Sequence, residues 1–316
     1  MAFLRPFADV TYTMMSTVAV LMMALLWVNT GSADAWKSPL LQDHPLVGKI
    51  VEQKTGRELS FAELVTRLTR YPVILIGEKH DNPDHHVFES QLLSALVDAE
   101  TAVVFEMLDD QQRSALNSLP AELSLETLKT QLQWPPQGWS WEDYGPLFLQ
   151  VIDQGGLLRA GNIDRPTMMN IYRKGVSSLM DQPRFASIAS LQQDLQLPIL
   201  DLVFESHCGK MDKDKLQPMV EIQWAKDASM GFVLAQSRMP RSVMIAGAVH
   251  ARKDIGIPRH LPTSLHSVTL LLREVAPDKL QADQYSAMQT DQAGAVQADY
   301  VWFSPMATDE DYCDRL

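Results

Sequence analysis

Seven short apolar runs rich in β-branched residues punctuate this chain, at 73–76, 102–105, 157–160, 199–204, 243–246, 268–272 and 300–303, with stretches of helical period between them. Runs that are mostly apolar, rather than alternating, belong to strands buried on both faces. Strands of that kind need helices on either side, so the pattern specifies an α/β fold: a mostly parallel sheet sandwiched by helices. The helices carry their own punctuation. Ser60 and Glu63 form a capping box that opens a helix through Leu68. Asn82 caps a second helix with Pro83 at its first position, followed by Val87, Leu92, Leu93, Leu96 and Val97. Gly175 ends a helix over Met168 to Lys174, and Asp214 to Arg238 reads as one long amphipathic helix. Residues 107–155 read as a helical lobe inserted after the second strand, and 277–299 as a surface excursion before the last. A single domain over 36–316 is expected.

The first 35 residues read as a targeting signal. Arg5 precedes an uncharged stretch from Val10 to Ala33, which ends in Ala33-Asp34-Ala35, the small-x-small pattern of signal peptidase sites. Cleavage after Ala35 would deliver an exported, periplasmic protein, whereas an uncleaved segment approaches the length of a membrane anchor. No Cys follows the apolar stretch, so a lipid anchor there is not expected.

Charge and cysteine content narrow the function classes. With 27 basic against 39 acidic residues the net charge is −12, and no Lys/Arg run offsets it locally, which argues against a nucleic-acid partner. The chain carries 2 Cys, Cys208 and Cys313, too few for a Cys-only zinc site. An oxidising compartment lets such thiols pair, and a bridge between them would tie the extreme C-terminus to the middle of the chain.

The chemistry-bearing residues follow the strands. Open α/β sheets bind ligands outside the carboxyl ends of their strands, and here five runs end in carboxylates or imidazoles: Glu78 and His80, Glu106, Asp164, Glu205 and His207, and His250. Carboxylates with neutral imidazoles form the ligand set of hydrolytic Zn²⁺, Mn²⁺ or Fe²⁺ sites, which makes Glu78, His80 and His250 the candidate metal ligands. Gly77 and Gly247 would let the backbone turn tightly there. His85 and His86 lie on the first turn of the helix after Asn82, whose free N–H groups suit an anionic group. Glu89 shares a helix face with both, four residues from His85 and three from His86.

Six blocks together resemble the ChaN-like family of iron-regulated haem-binding proteins, within the haem-binding uptake and Tiki superfamily. They are Gly77-Glu-Lys-His-Asp-Asn-Pro-Asp-His-His86, Val103-Val-Phe-Glu-Met107, Trp139-Ser-Trp-Glu-Asp-Tyr144, Asn162-Ile-Asp-Arg165, His207-Cys-Gly-Lys-Met211 and Gly247-Ala-Val-His250 with its extension to Leu261. The resemblance implies an α/β sandwich that binds haem, with haem-linked homodimers and a role in haem or iron acquisition alongside an outer-membrane receptor system. Some members of the family are lipoproteins, a feature this sequence lacks.

A non-covalent, b-type haem needs an axial donor, an apolar slot and cations for its propionates. Tyr144 and Tyr172 are the expected axial donors, since tyrosinate favours ferric iron. His80 and His250 compete for that role. Arg165, Arg173 and Arg252 are the expected propionate partners, with His85, His86 and His207 as further binding residues. Related branches of the superfamily are metal-dependent proteases and esterases that use the Gly-Glu-x-His and Gly-x-x-His blocks. The alternative is therefore a metal-dependent hydrolase whose Glu78, His80, Glu106 and His250 are catalytic. Mass spectrometry of the exported protein is expected to find Trp36 at the N-terminus. Recovery of a Met1 start in the membrane fraction would contradict the signal assignment.

Overall fold

The structure, a computed structural model, describes residues 36–120, 122–289, 294 and 296–315, so the expected signal segment lies outside the described residues. The strands are β1 Ile50–Glu52, β2 Glu58–Leu59, β3 Val73–Glu78, β4 Thr101–Phe105, β5 Leu157–Ala160, β6 Arg241–Gly247, β7 Ser267–Glu274 and β8 Tyr300–Ser304. They form one sheet in the order β2-β1-β8-β7-β3-β6-β4-β5. From β8 to β5 every pairing is parallel, and only β1 adds antiparallel neighbours, to β8 and β2. Strands β3 and β4 are buried along their whole length, as runs without alternation require.

The helices are α1 Phe61–Leu68, α2 Pro83–Leu96, α3 Asp110–Leu116, α4 Leu125–Gln131, α5 Trp141–Asp153, α6 Arg165–Lys174, α7 Ile188–Ser206, α8 Gln217–Ala235 and the short α9 Ala248–Ala251. One sheet face, with Ile74, Ile76, Val103, Phe105, Val243 and Ile245, packs against Phe88, Leu92 and Leu93 of α2 and Tyr144, Phe148 and Val151 of α5. The other, with Val73, Leu75, Val104 and Met244, meets Met230 and Leu234 of α8. The capping box at Ser60 and the Asn82 cap form as the sequence specifies.

One expectation changes. The run 199–204 is not a strand but the C-terminal part of α7, which buries Leu195, Ile199 and Val203 along one stripe against α8 residues Val220 and Trp224. Pro198 stands inside that helix and masked its continuity, because proline ordinarily ends a helical pattern. Glu205 and His207 therefore stand at the C-terminal end of a helix and do not follow a strand. The insertion 107–155 is helical as expected: α3, α4 and α5 form the crossover from β4 to β5, and α4 and α5 contribute Leu128, Trp141, Tyr144 and Phe148 to the main core. The distinct helical cluster is made by α6, α7 and α8 around Ile171, Ile199 and Trp224.

Cys208 and Cys313 are paired, 105 residues apart in sequence. The bridge holds Tyr312 near the carboxyl end of β3, where its hydroxyl donates to Asp81 and its ring lies 5.9 Å from Lys79 Nζ. Closing a loop of this length restricts the unfolded chain strongly, so a Cys208→Ser/Cys313→Ser variant is expected to lose about 2–4 kcal/mol of stability in urea titration. An unchanged midpoint and slope would contradict that role.

Candidate functional site

The sheet order explains the site. β6 lies between β3 and β4, and its register pairs Gly247 with Glu78 on β3, while the Glu106 backbone N–H donates to Ile245 O at 3.0 Å on the same strand. The carboxyl ends of three adjacent strands thus bring Glu78, Gly247 and Glu106 to one edge, and α9 folds back at once to add His250. Neither Gly77 nor Gly247 has a positive φ; each is required for close packing instead. A Cβ on Gly77 would lie 2.6 Å from Leu271 and 2.8 Å from the Ala251 Cβ, and one on Gly247 would lie 2.7 Å from His80 Nε2.

Glu106 is the hub of a buried charged network. Its Oε1 lies 3.2 Å from His250 Nε2 and 3.4 Å from Lys226 Nζ. Its Oε2 accepts from the Gly247 N–H at 2.9 Å and lies 3.8 Å from His80 Nε2. His250 Nδ1 meets Asp227 Oδ1 of α8 at 2.5 Å, with the Gln223 amide 3.0 Å away. Burial alone would depress the His250 pKa, but the carboxylates of Glu106 and Asp227 outweigh it and push it up to about 10. Burial would raise Glu106, yet the His250, Lys226 and His80 cations hold it well below the usual carboxylate range.

Glu78 is a second hub. Its Oε1 accepts from Tyr144 OH at 2.9 Å and from His80 Nδ1 at 3.0 Å. Its Oε2 faces His86 Nδ1 at 3.4 Å, and His86 Nδ1 lies 3.2 Å from Glu89 Oε2. Trp139 covers His80, with ring centroids 4.5 Å apart. A cavity of about 840 Å³ opens over this floor, within the range of small-molecule sites. Its walls include Leu202, Ala248, Val249, Leu272, Val275 and Met306, and its charged lining includes Lys79, His80, Arg273 and Glu274, with Tyr312 at one side. Lys79 pairs with Glu274 at 3.0 Å. The Arg273 guanidinium makes no hydrogen bond or ion pair with any described residue; burial and the Arg252 cation lower its pKa.

The structure brings Glu78, His80, Glu106 and His250 together but not as one metal-ligand set. Both ring nitrogens of His250 are occupied by Asp227 and Glu106, so Glu78, His80 and His250 do not converge on a common point. Other expected binding residues lie elsewhere. Tyr172, Arg165 and Arg173 sit on the exposed side of α6, outside the cavity lining. His207 caps α7, its Nδ1 2.8 Å from Val203 O, and Arg252 is paired with Asp254 at 2.5 Å. His85 is fully buried between the Lys79 N–H at 2.8 Å and Ser304 Oγ at 2.9 Å, which take both of its ring nitrogens. Asp164 is spent as the cap of α6. The first turn of α2 is closed, because the Asn82 side chain caps it and Asp84 accepts the N–H groups of Lys37 and Ser38 at 2.9 and 2.8 Å. Tyr144 is buried with its hydroxyl committed to Glu78; burial and the Glu78, Glu89 and Glu106 carboxylates push its pKa far above the ordinary value, which opposes a tyrosinate.

Sequence reasoning missed Asp227, Lys226, Arg273 and Tyr312. Asp227 was detectable as a lone acid on the apolar stripe of α8, between Trp224 and Met230, where a charge needs a partner. Arg273 carried no such signal, since a cation at a strand end is ordinary.

A family model described as haem-binding uptake, Tiki superfamily, ChaN, matches residues 64–261. Among solved structures, one of cofacial haem binding to ChaN of Campylobacter jejuni is similar, with 23% identity and a TM-score of 0.63 over 80% of this chain and 95% of that one. The type III effector HopBA1 aligns at 12% identity and a TM-score of 0.38, over 87% of this chain and 99% of that one. The MARTX toxin effector domain RRSP from Vibrio vulnificus aligns at 13% identity and the same TM-score, over 67% of this chain and 36% of that one. No curated protein matches.

The folded chain holds the His250 proton more tightly than the unfolded chain, whose ordinary value is 6.5. The stabilisation from that proton is therefore complete below pH 6.5 and is lost as pH rises through about 10. Removing the cation strands two buried carboxylates, so His250→Gln is expected to cost about 3–5 kcal/mol near pH 6.5. The gap to the wild type should narrow toward pH 10; a gap that widens on the alkaline side would show that His250 is buried neutral.

Proposed function

The chain belongs to the ChaN family of haem-binding uptake proteins in the Tiki superfamily, and from that premise we propose that it binds one b-type haem, without covalent attachment, in the cavity above Glu78 and Glu106. The observation that carries the proposal is Arg273, a cation on an apolar-walled cavity that makes no hydrogen bond or ion pair with a described residue, Glu274 and Tyr285 acting on it only at longer range. A propionate supplies the missing anion. Lys79, at the same wall, already leans on Glu274 and Asp81. The donor set also fits: His80 lines the cavity with its Nδ1–H held by Glu78, and loss of the Nε2 proton on binding would leave that nitrogen as an axial donor of raised basicity. The bound haem would supply an iron centre for carriage. Covalent attachment through thioethers is disfavoured because both cysteines are committed to the disulfide.

The role we infer is haem or iron acquisition in an oxidising, exported location. The disulfide supports the compartment, since such bridges persist mainly outside the cytosol. A homodimer linked through haem and an outer-membrane receptor partner belong to the same reading. A second reading rests on the Asp227–His250–Glu106 chain of contacts, of which His250 lines the cavity and the two carboxylates lie buried behind it, and which would serve acid–base hydrolysis. In that reading Glu106→Gln abolishes a hydrolytic activity while haem binding survives.

Haemin titration of the purified protein is expected to give one saturable Soret band. Arg273→Ala should weaken binding about tenfold or more, the loss of a charged hydrogen bond worth about 1.5–3 kcal/mol. His80→Ala should shift the band, while Tyr172→Phe leaves it in place. A spectrum that responds to Tyr172→Phe and ignores both other variants would overturn the assignment.

A further inference from the structure

A cluster beside the haem cavity has a different chemistry. His86 and Glu89 project from α2 at a separation of three, and both meet the Oε2 side of Glu78, the side turned away from Tyr144 and His80. We propose that Glu78, His86 and Glu89 bind one divalent transition-metal ion of the zinc type.

Four observations carry this. The first is the tautomer of His86. Its Nε2 lies 3.1 Å from the carbonyl oxygen of His80; a carbonyl only accepts, so Nε2 carries the hydrogen. In the neutral ring Nδ1 is then a bare lone pair, and it faces two carboxylates. That arrangement, an imidazole N–H fixed by a backbone carbonyl with the other nitrogen presented, is the usual setting of a metal-bound histidine.

The second is spacing. Metal–oxygen and metal–nitrogen bonds of about 2.0–2.2 Å in a tetrahedral site place neighbouring ligand atoms about 3.3–3.6 Å apart. His86 Nδ1 lies 3.4 Å from Glu78 Oε2 and 3.2 Å from Glu89 Oε2, and one donor atom from each residue falls within 4.8 Å of the others.

The third is unmet bonding capacity. Both carboxylates are wholly buried, at 0% side-chain exposure. Glu78 Oε2 and Glu89 Oε1 have no hydrogen-bond partner, a costly state for a buried acceptor that a cation relieves.

The fourth is access. A cavity of about 320 Å³ separate from the haem cavity reaches His86 from outside, and Glu142 and Asp143 line it with Lys37. Two acids at the mouth favour entry of a cation. Nitrogen with oxygen donors and no thiolate suits zinc, ferrous or manganous ions more than soft metals. Glu78 would then serve two sites, with Oε1 holding Tyr144 and His80 and Oε2 holding the ion.

The test uses the full mature chain, stripped with a chelator and titrated with Zn²⁺. One equivalent should bind, and the melting temperature should rise with it. Co²⁺ in place of Zn²⁺ should give a visible band of low-coordinate nitrogen and oxygen ligation in the wild type, a readout that needs no variant. Glu89→Gln and His86→Gln should each lower Zn²⁺ affinity at least tenfold, and a wild-type circular-dichroism spectrum with a cooperative melt of Glu89→Gln would report an intact fold. A wild-type chain indifferent to Zn²⁺ would mean that a proton bridges the cluster, and it would overturn the proposal. So would Zn²⁺ bound equally well by Glu89→Gln. The site does not depend on the haem reading, because Zn²⁺ uptake and haemin binding are read separately and either can fail alone.

Discussion

The buried carboxylate of Glu106 is the constraint on which the rest of the site depends. At 2% exposure it needs compensation from every direction, and it draws it from four elements: the Gly247 N–H at the end of β6, His250 on α9, Lys226 on α8, and more distantly His80 beyond β3. A charge that is taken out of water and fully partnered ties these elements together, because removing any one partner strands the remainder. The absence of a side chain at Gly247 is what lets His80 approach. The cavity floor is rigid for electrostatic reasons, while its walls are apolar.

That division separates two roles along a single short stretch. Residues 78–89 leave β3, turn through the Asn82 cap and enter α2. His80 faces the larger cavity, His85 is locked between Lys79 and Ser304, and His86 faces Glu78 and Glu89. Three histidines within seven residues thus have three environments: one accessible, one structural, one held by two carboxylates. Sequence position alone could not assign them, since the differences come from which element packs over each.

Much of the fold was legible for a physical reason. Strands β3, β4, β6 and β7 are buried on both faces and read as apolar runs, and the residues that terminate them, Glu78, Glu106 and Gly247, are polar or small where the run must leave the core. The failure at 199–204 has an equally physical cause: five apolar residues around Asp201 fit a buried strand or a buried helix stripe, and Pro198 just before them is a residue that ordinarily breaks a helical pattern. The convergence of four site residues followed from strand ends sharing an edge. The residues expected to hold haem did not follow, because Tyr172, Arg165 and Arg173 stand on the exposed side of α6, and no local pattern encodes which helix face the tertiary packing leaves to solvent. Arg273 became visible only once β7 was placed beside β3.

The central claim is that the ligand cavity lies over the carboxyl ends of β3, β6 and β7, under the C-terminal segment held by the disulfide. Hydrogen exchange with and without haemin tests it most directly. The account predicts new protection at 79–81, 248–250, 272–276 and 306–312, with α6 unchanged. Protection centred on α6 around Tyr172, with none at β7 or Tyr312, would contradict it.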